Sequence, residues 1–416
     1  MNSLPTRRDG CNAQLTETES MLYRPAPWPT GAKKFARVVV PNLFFVAAVS
    51  AAILTLPFLG IGAPQFSHHY VTVPPNAGVV AAGEPIGVVP FSNVVARLGL
   101  KSLNDLAQAL NPGALTSVGT IWTLRQPVVI ANGTHLTLRG PGTLTLAPGS
   151  FLEVSRGGTV SITDLAIVGS GAGSRRGFLF DSGGVLRLNH DEIRSLGRLA
   201  TFTTGITFAS AARGSAVLNS IITGNTEGVY VLATSGLVLE GNVISGSSLD
   251  GIYLRDRVSR TLVRFNSVAK SGLDNLAAED VGVNVVIAHN ALQSSSRYGL
   301  LLYNNSRAAI VRLNQINGSI DGVVVNATSG STIVANTVSG QQRFGIRITG
   351  VSRSNQIRSN RLDRSAVGLY LTSGATNNYL LMNRFASDAE NIRIRLSAPR
   401  NFVHPRPTNS EINTRT

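Results

Sequence analysis

The sequence predicts an all-β protein whose main body is a parallel β-helix, a solenoid of roughly 23-residue coils, behind an N-terminal transmembrane or signal helix. Three observations lead there. A glycine recurs at Gly205, Gly228, Gly251, Gly299, Gly322, Gly345 and Gly368, with Asn275 in the one gap, at offsets of 23 or 24 residues. An asparagine column runs in parallel through Asn219, Asn242, Asn266, Asn290, Asn314, Asn336, Asn360 and Asn383, at offsets of 22 to 24. A long uncharged stretch, residues 38–63, stands ahead of both. Two independent columns holding one period mark a repeat array rather than the two or three domains that 416 residues would otherwise suggest. The apolar runs are short and β-branched, which favours strands over a helical solenoid. Leucine-rich repeats are the nearest competitor, but their Leu-x-x-Leu-x-Leu pattern is absent.

Composition agrees. Hydrophobic residues make up 43% and charged residues 14%, enough for a large core and too apolar for wholesale disorder. Aromatics are only 6%, so that core is aliphatic. The single cysteine, Cys11, excludes an internal disulfide framework and a cysteine-rich zinc site. The net charge of +15 favours anionic partners: nucleic acid, lipid headgroups or acidic polysaccharide.

In chain order, residues 1–37 read as a basic cytoplasmic tail containing Arg7, Arg8, Arg24, Lys33, Lys34 and Arg37. Residues 38–63 would span about 39 Å as a helix, sufficient for a hydrocarbon core of ~30 Å. The basic flank keeps the N-terminus inside and sends the body across the membrane. A cleaved signal peptide and a buried core helix are the alternatives; Gly60-Ile61-Gly62 is a poor match to a signal-peptidase site. The body is then periplasmic on a membrane anchor, or secreted if the helix is cleaved. Export argues against nucleic acid as a partner. Residues 64–117 form a linker and a short helical cap, with Ser102 and Asp105 resembling a capping box before Asn111-Pro112-Gly113 ends the helix. Residues 118–395 hold the β-helix, about a dozen coils extending about 58 Å at ~4.8 Å each. Stacked asparagine amides bond one another from coil to coil, and Val229, Ile252, Leu276, Leu300, Val323, Ile346 and Leu369 form an inward aliphatic ladder. Residues 396–416 lose the repeat and read as a polar tail.

Strand alternation sends the residues between the inward ones outward. The outward pairs are Tyr230/Leu232, Tyr253/Arg255, Ala277/Glu279, Leu301/Tyr303, Val324/Asn326, Arg347/Thr349 and Tyr370/Thr372. Acids flank them at Glu227, Asp250, Asp274, Asp321, Asp256 and Asp280. Tyr253, Arg255, Asp256, Glu279, Asp280 and Tyr303 fall on three neighbouring coils, close enough to form one site for an extended polymer. Plainer roles compete at each position. An Asp before the column glycine suits a turn, Arg255 with Glu279 or Asp280 makes a surface ion pair, and Tyr230 with Tyr253 makes an aromatic stack. His190-Asp191-Glu192 and His68-His69 are weak metal signals, and neither a metal nor a cofactor is expected. No Ser-His-Asp spacing, P-loop or Cys-x-x-Cys motif occurs.

The stretches Thr120-Ile-Trp-Thr-Leu-Arg-Gln-Pro-Val, Ser215-Ala-Val-Leu-Asn-Ser and Leu249-Asp-Gly-Ile-Tyr-Leu-Arg-Asp-Arg carry a resemblance over about residues 118–390. The region resembles the right-handed β-helix proteins that modify polyuronates, above all the periplasmic mannuronan C-5 epimerases. That family has Asp-Pro-His-Asp at the third stretch, its His taken as the proton-abstracting base. Here the positions read Tyr253-Leu254-Arg255-Asp256, and only the final Asp and Arg257 match. The family's carboxylate-neutralising arginine falls near Glu279 or Asp280. The resemblance implies an anionic exopolysaccharide as partner. The family's base and neutraliser are both missing from their places. Removal of a C5 proton beside a carboxylate instead points to Tyr253 as base, its pKa lowered by the neighbouring guanidinium, and Arg255 as carboxylate neutraliser with Asp256 beside them, while Tyr230, Arg257, Glu279, Asp280 and Tyr303 would bind substrate. Epimerase-like or lyase-like catalysis, polymer binding without catalysis, and a structural role like that of the maturation β-helices of nitrous-oxide reductase all remain open on the sequence.

Overall fold

A computed structural model describes residues 71–72, 99–131, 133–171, 176–197, 204–372, 374–395, 398, 400–404 and 412–413. The expected membrane or signal helix at 38–63, its basic flank, Cys11 and His68-His69 lie outside the described residues. Among the described residues no helix is long and apolar enough to cross a membrane.

Each coil contributes one strand to each of three sheets. Among the described residues sheet A has 14 strands, from Val71–Thr72 to Ile412–Asn413; sheet B has 12, from His135–Arg139 to Phe402–His404; sheet C has 13, from Leu115–Val118 to Arg384–Ala386. Within a sheet neighbours lie three strands apart along the chain, except at the end of sheet A, where Glu390–Ile394 pairs with Ile412–Asn413 two strands on, and pairing is parallel. The other exception is the entry hairpin, where Leu115–Val118 runs antiparallel to Ile121–Leu124. The expected inward ladder from Val229 to Leu369 pairs residue to residue, and all seven members are fully buried.

The asparagine ladder forms from Asn242 to Asn383. Each amide donates to the Oδ1 of the next coil's asparagine at 2.9–3.0 Å, and each backbone N–H at 2.9–3.1 Å donates to the same oxygen. The other amide hydrogen donates to a carbonyl of the preceding coil, as Asn290 does to Val263 at 2.9 Å. Asn219 departs from the expected column. It occupies the left-handed bend, φ 50°, that precedes the ladder position, as Phe265, His289 and Leu313 do before their asparagines. Ser220 takes the ladder position instead, its N–H donating to Asn242 at 3.0 Å. Asparagine suits both a left-handed bend and an amide stack, so spacing alone cannot separate the two. A second, unanticipated ladder runs Asn355–Asn378–Asn401, with amide bonds of 3.0 Å.

The glycine column has a steric cause. A Cβ on Gly322 would stand 2.3 Å from Val338 Cγ1 and 2.5 Å from the Gly345 carbonyl oxygen. One on Gly345 would stand 2.5 Å from the Gly368 oxygen. The next coil's backbone therefore occupies the space a side chain would need.

The helical cap is Leu103–Ala109, burying Leu103 and Leu106 over the first coils. Ser102 Oγ accepts from the Asp105 N–H at 3.0 Å, as a capping box requires. The Asp105 carboxylate reaches back to the N–H of Lys101 at 2.8 Å rather than to Ser102. Short strands also lie outside the expected limits of the β-helix. Val71–Thr72, assigned to the linker, pairs with Val128–Ile130. Phe402–His404 and Ile412–Asn413, assigned to the tail, add to sheets B and A. Their lengths of three and two residues are too short to show periodicity.

Candidate functional site

The outward face of sheet A brings together most of the residues singled out in the sequence. Register pairs Tyr230 with Tyr253, Ala277, Leu301, Val324, Arg347 and Tyr370 in turn, and Arg255 with Glu279, Tyr303 and Asn326 beside them. Facing outward does not leave these side chains exposed. Ala277, Leu301 and Val324 form a small apolar strip, buried beneath Tyr253, Tyr298 and Tyr303.

Glu279 is the hub. Its Oε2 accepts from the Tyr253 hydroxyl and, at 2.9 Å, from the Tyr303 hydroxyl. The two phenol oxygens are 2.9 Å apart. Asn304 donates to Oε1 at 2.9 Å, and Arg255 Nε stands 3.3 Å from Oε2. The expected Arg255–Glu279 pair therefore exists, half-buried rather than on open surface. Tyr230 lies against Tyr253 with ring centroids 5.4 Å apart and tilted by 45°. Asp256, Arg257 and Asp280 sit on the adjoining bends, all three at positive φ. Asp256 and Arg257 pair with each other at 3.4 Å in solvent, beside the hub rather than in it.

A base must have its pKa brought toward neutrality. Tyr253 goes the other way. Burial is the largest cause, followed by the charge of Tyr303, and the hydrogen bond and charge of Glu279 add to it, so its phenol holds its proton far more tightly than usual. The role of base expected for Tyr253 required the Arg255 guanidinium to lower that pKa. The guanidinium instead faces Glu279, and Tyr253 donates its proton to the same carboxylate.

The acids before the column glycines do more than shape a bend. Glu227, Asp250, Asp274 and Asp321 are buried. The Asp250 N–H donates to Glu227 at 2.8 Å, the Asp274 N–H to Asp250 at 2.8 Å, and the Tyr298 N–H to Asp274 at 3.1 Å. Arg297 closes this acid ladder with two bonds to Asp274, at 2.8 and 2.7 Å. Burial raises the pKa of all three carboxyls, and repulsion from Asp274 contributes to bringing Asp250 to about 7.

Asp321 repeats the Asp274 arrangement with one guanidinium more. Arg343 makes two bonds to it at 2.9 Å, and Arg347 Nε lies 3.4 Å away. Sequence reasoning did not single out Tyr298, Asn304 or Arg343 as site residues. A signal for two of them was present, since Arg297-Tyr298-Gly299 and Arg343-Phe344-Gly345 repeat an arginine–aromatic pair before the column glycine. His190 lies on an exposed bend and Asp191 is buried on the backbone ladder, accepting from the Leu165 N–H at 3.0 Å. Among the described residues no group of three or more His, Cys, Asp or Glu side chains could hold a metal ion.

A family model described as a right-handed β-helix region matches residues 152–316, and one described as periplasmic copper-binding protein (NosD) matches residues 274–416. No curated protein matches by sequence. Among solved structures, the periplasmic alginate epimerase AlgG aligns at a TM-score of 0.58 and 16% identity, over 75% of this chain and 82% of that one. The A-module of the Azotobacter vinelandii mannuronan C-5 epimerase AlgE4 aligns at 0.50 and 15%, over 68% and 88%. The Dettilon tailspike protein aligns at 0.52 and 12%, over 71% and 60%. At these identities the likeness is one of fold: the chain is a right-handed parallel β-helix.

Proposed function

We propose that this right-handed parallel β-helix protein acts on an anionic, uronate-type polysaccharide laid along the outward face of sheet A, on the periplasmic side of the membrane. One observation carries the reading: Tyr230, Tyr253, Arg255, Glu279 and Tyr303 converge on neighbouring coils of one face. Tyrosine rings offer flat apolar surface to sugar rings, and a guanidinium pairs with a carboxylate through charged hydrogen bonds. The alginate epimerase named among the similar structures supports the substrate class. The periplasmic location of that enzyme, with that of the NosD family, supports the compartment. Residues 38–63 would then carry the chain to or across the membrane.

The chemistry follows from which group can move a proton. A sugar carboxylate would displace Glu279 from Arg255, which neutralises it and acidifies the adjacent C5–H. Glu279, released from the guanidinium, is the hub's proton acceptor. Tyr253 and Tyr303 hold protons to give to a leaving oxygen. All of these groups rise from one sheet and reach the sugar from one side. That suits β-elimination, where proton removal and departure share a face, better than epimerisation, which returns the proton from the opposite face. A second reading, recognition without turnover, is favoured by the Glu279 contacts, since four donors already satisfy this carboxylate.

Incubation with polymannuronate or polygalacturonate and ultraviolet detection of new double bonds separates the readings. Elimination predicts absorbance that Glu279→Gln abolishes while binding persists. Binding with no new double bonds in the wild type identifies recognition alone. Binding unchanged by Arg255→Ala rejects the site.

A further inference from the structure

Charge is distributed unevenly along this face. At the Glu279 hub one carboxylate faces one guanidinium, Arg255. In the acid ladder Arg297 is spent on Asp274. At Asp321 a single buried carboxylate faces two guanidiniums, Arg343 and Arg347, leaving one positive charge over. The neighbouring acid on this side, Glu390, is already paired with Arg393. The surplus is held in a fixed geometry. Arg347 stands 5.5 Å from the Tyr298 ring centre and donates to the Tyr298 hydroxyl at 3.1 Å. Arg343 lies 5.1 Å from the Phe344 ring centre, and Phe344 stacks on Tyr370 at 4.5 Å. The Arg347 side chain is one-fifth exposed, and its buried Nε faces Asp321 Oδ2 as an ion pair at 3.4 Å without a hydrogen bond. The Tyr298 oxygen accepts from Arg347, so its own proton is left to donate.

We propose that Arg347, Arg343 and Tyr298 form a second oxyanion subsite on sheet A, with Asp321 as the buried strut that aims both guanidiniums. It takes a carboxylate of the same polymer whose other carboxylate meets Arg255. In register Arg347 lies four strands from Tyr253, which places the two centres about 19 Å apart at ~4.8 Å per strand. The subsite rests on the preceding section for the identity of its ligand. Its capacity for an oxyanion rests on the surplus charge and the preset donors. An acidic oligosaccharide long enough to reach both centres gains from the second contact, whereas a shorter one engages a single centre.

Calorimetric titration of the full chain with a uronic acid disaccharide and hexasaccharide tests this. Arg347→Gln should weaken hexasaccharide binding about tenfold and reduce the preference for the longer ligand. Arg347→Lys, which keeps the charge but loses the planar fork, should fall between Gln and wild type. Thermal melts of each variant separate lost binding from lost fold. If Arg347→Gln and Arg343→Gln both bind the hexasaccharide as wild type while Arg255→Gln weakens it, the subsite is overturned and the Glu279 hub stands. If Arg347→Gln weakens binding and Arg255→Gln does not, the subsite stands without the hub. If no variant matters, both are overturned.

Discussion

Replacing Asn290 by leucine tests what holds the coils in register. Asn290 Oδ1 accepts from both the backbone N–H and the side-chain amide of Asn266, each at 3.0 Å. Its amide donates to the Val263 carbonyl at 2.9 Å and to Asn314 Oδ1 at 3.0 Å. Asn290 and both flanking asparagines are buried, so water cannot replace these bonds. Leucine leaves the Asn266 N–H without an acceptor and its amide with one bond, to Leu239. At about 1–3 kcal/mol for each of the two buried donors left bare, the expected loss is about 2–6 kcal/mol. Asn219 is the control. It lies off the ladder, and its side-chain bond to Asn189, at 3.2 Å, is exposed. Asn219→Gly preserves the left-handed bend and should change stability by about 0.5 kcal/mol or less. Chemical denaturation gives the totals, and hydrogen exchange at the Asn266 amide gives the local effect, which survives any loss of cooperativity in a repeat array. Similar small losses for both variants, with Asn266 exchange unchanged, would refute the ladder as a stabilising device.

Stability should fall with rising pH because of the acid ladder. Asp250 titrates at about 7 when folded and near 3.8 ordinarily, so the folded chain holds the extra proton across that window. Asp250→Asn should flatten this part of the melting-temperature profile and be the more stable chain at pH 8; a profile parallel to wild type would contradict the buried-proton account. Gly322→Ala should cost about 1–3 kcal/mol by forcing a methyl group toward Val338 and the Gly345 carbonyl, and an unchanged melting temperature would show that the coils can spread to admit it. Reporter fusions placed after Pro64 should be active in the periplasm, and activity confined to the cytoplasm would reverse the expected topology.

The repeat made the fold legible because it is written twice, once in residues that must be glycine and once in residues that must stack amides. The bend at Asn219 escaped because one residue type serves both a left-handed corner and a ladder. The site was legible as a set of outward positions. Strand alternation put Tyr253, Arg255, Glu279 and Tyr303 on one face, and register placed them side by side. It could not say which polar groups would be consumed by one another. Asp250 and Asp274 read as turn formers because burial of an acid depends on backbone N–H groups from the neighbouring coil, which no local pattern encodes. The direction in which Tyr253 titrates likewise depends on Glu279 and Tyr303, 26 and 50 residues away in sequence.

A crystal structure of the full chain with a bound hexauronate measures the central claim directly. The account predicts the oligosaccharide lying across the strands of sheet A, with one carboxylate on Arg255, displaced from Glu279, and a sugar ring against Tyr253 or Tyr303. An oligosaccharide seated on sheet B or sheet C, or on sheet A with the Arg255–Glu279 pair intact and untouched, would contradict it.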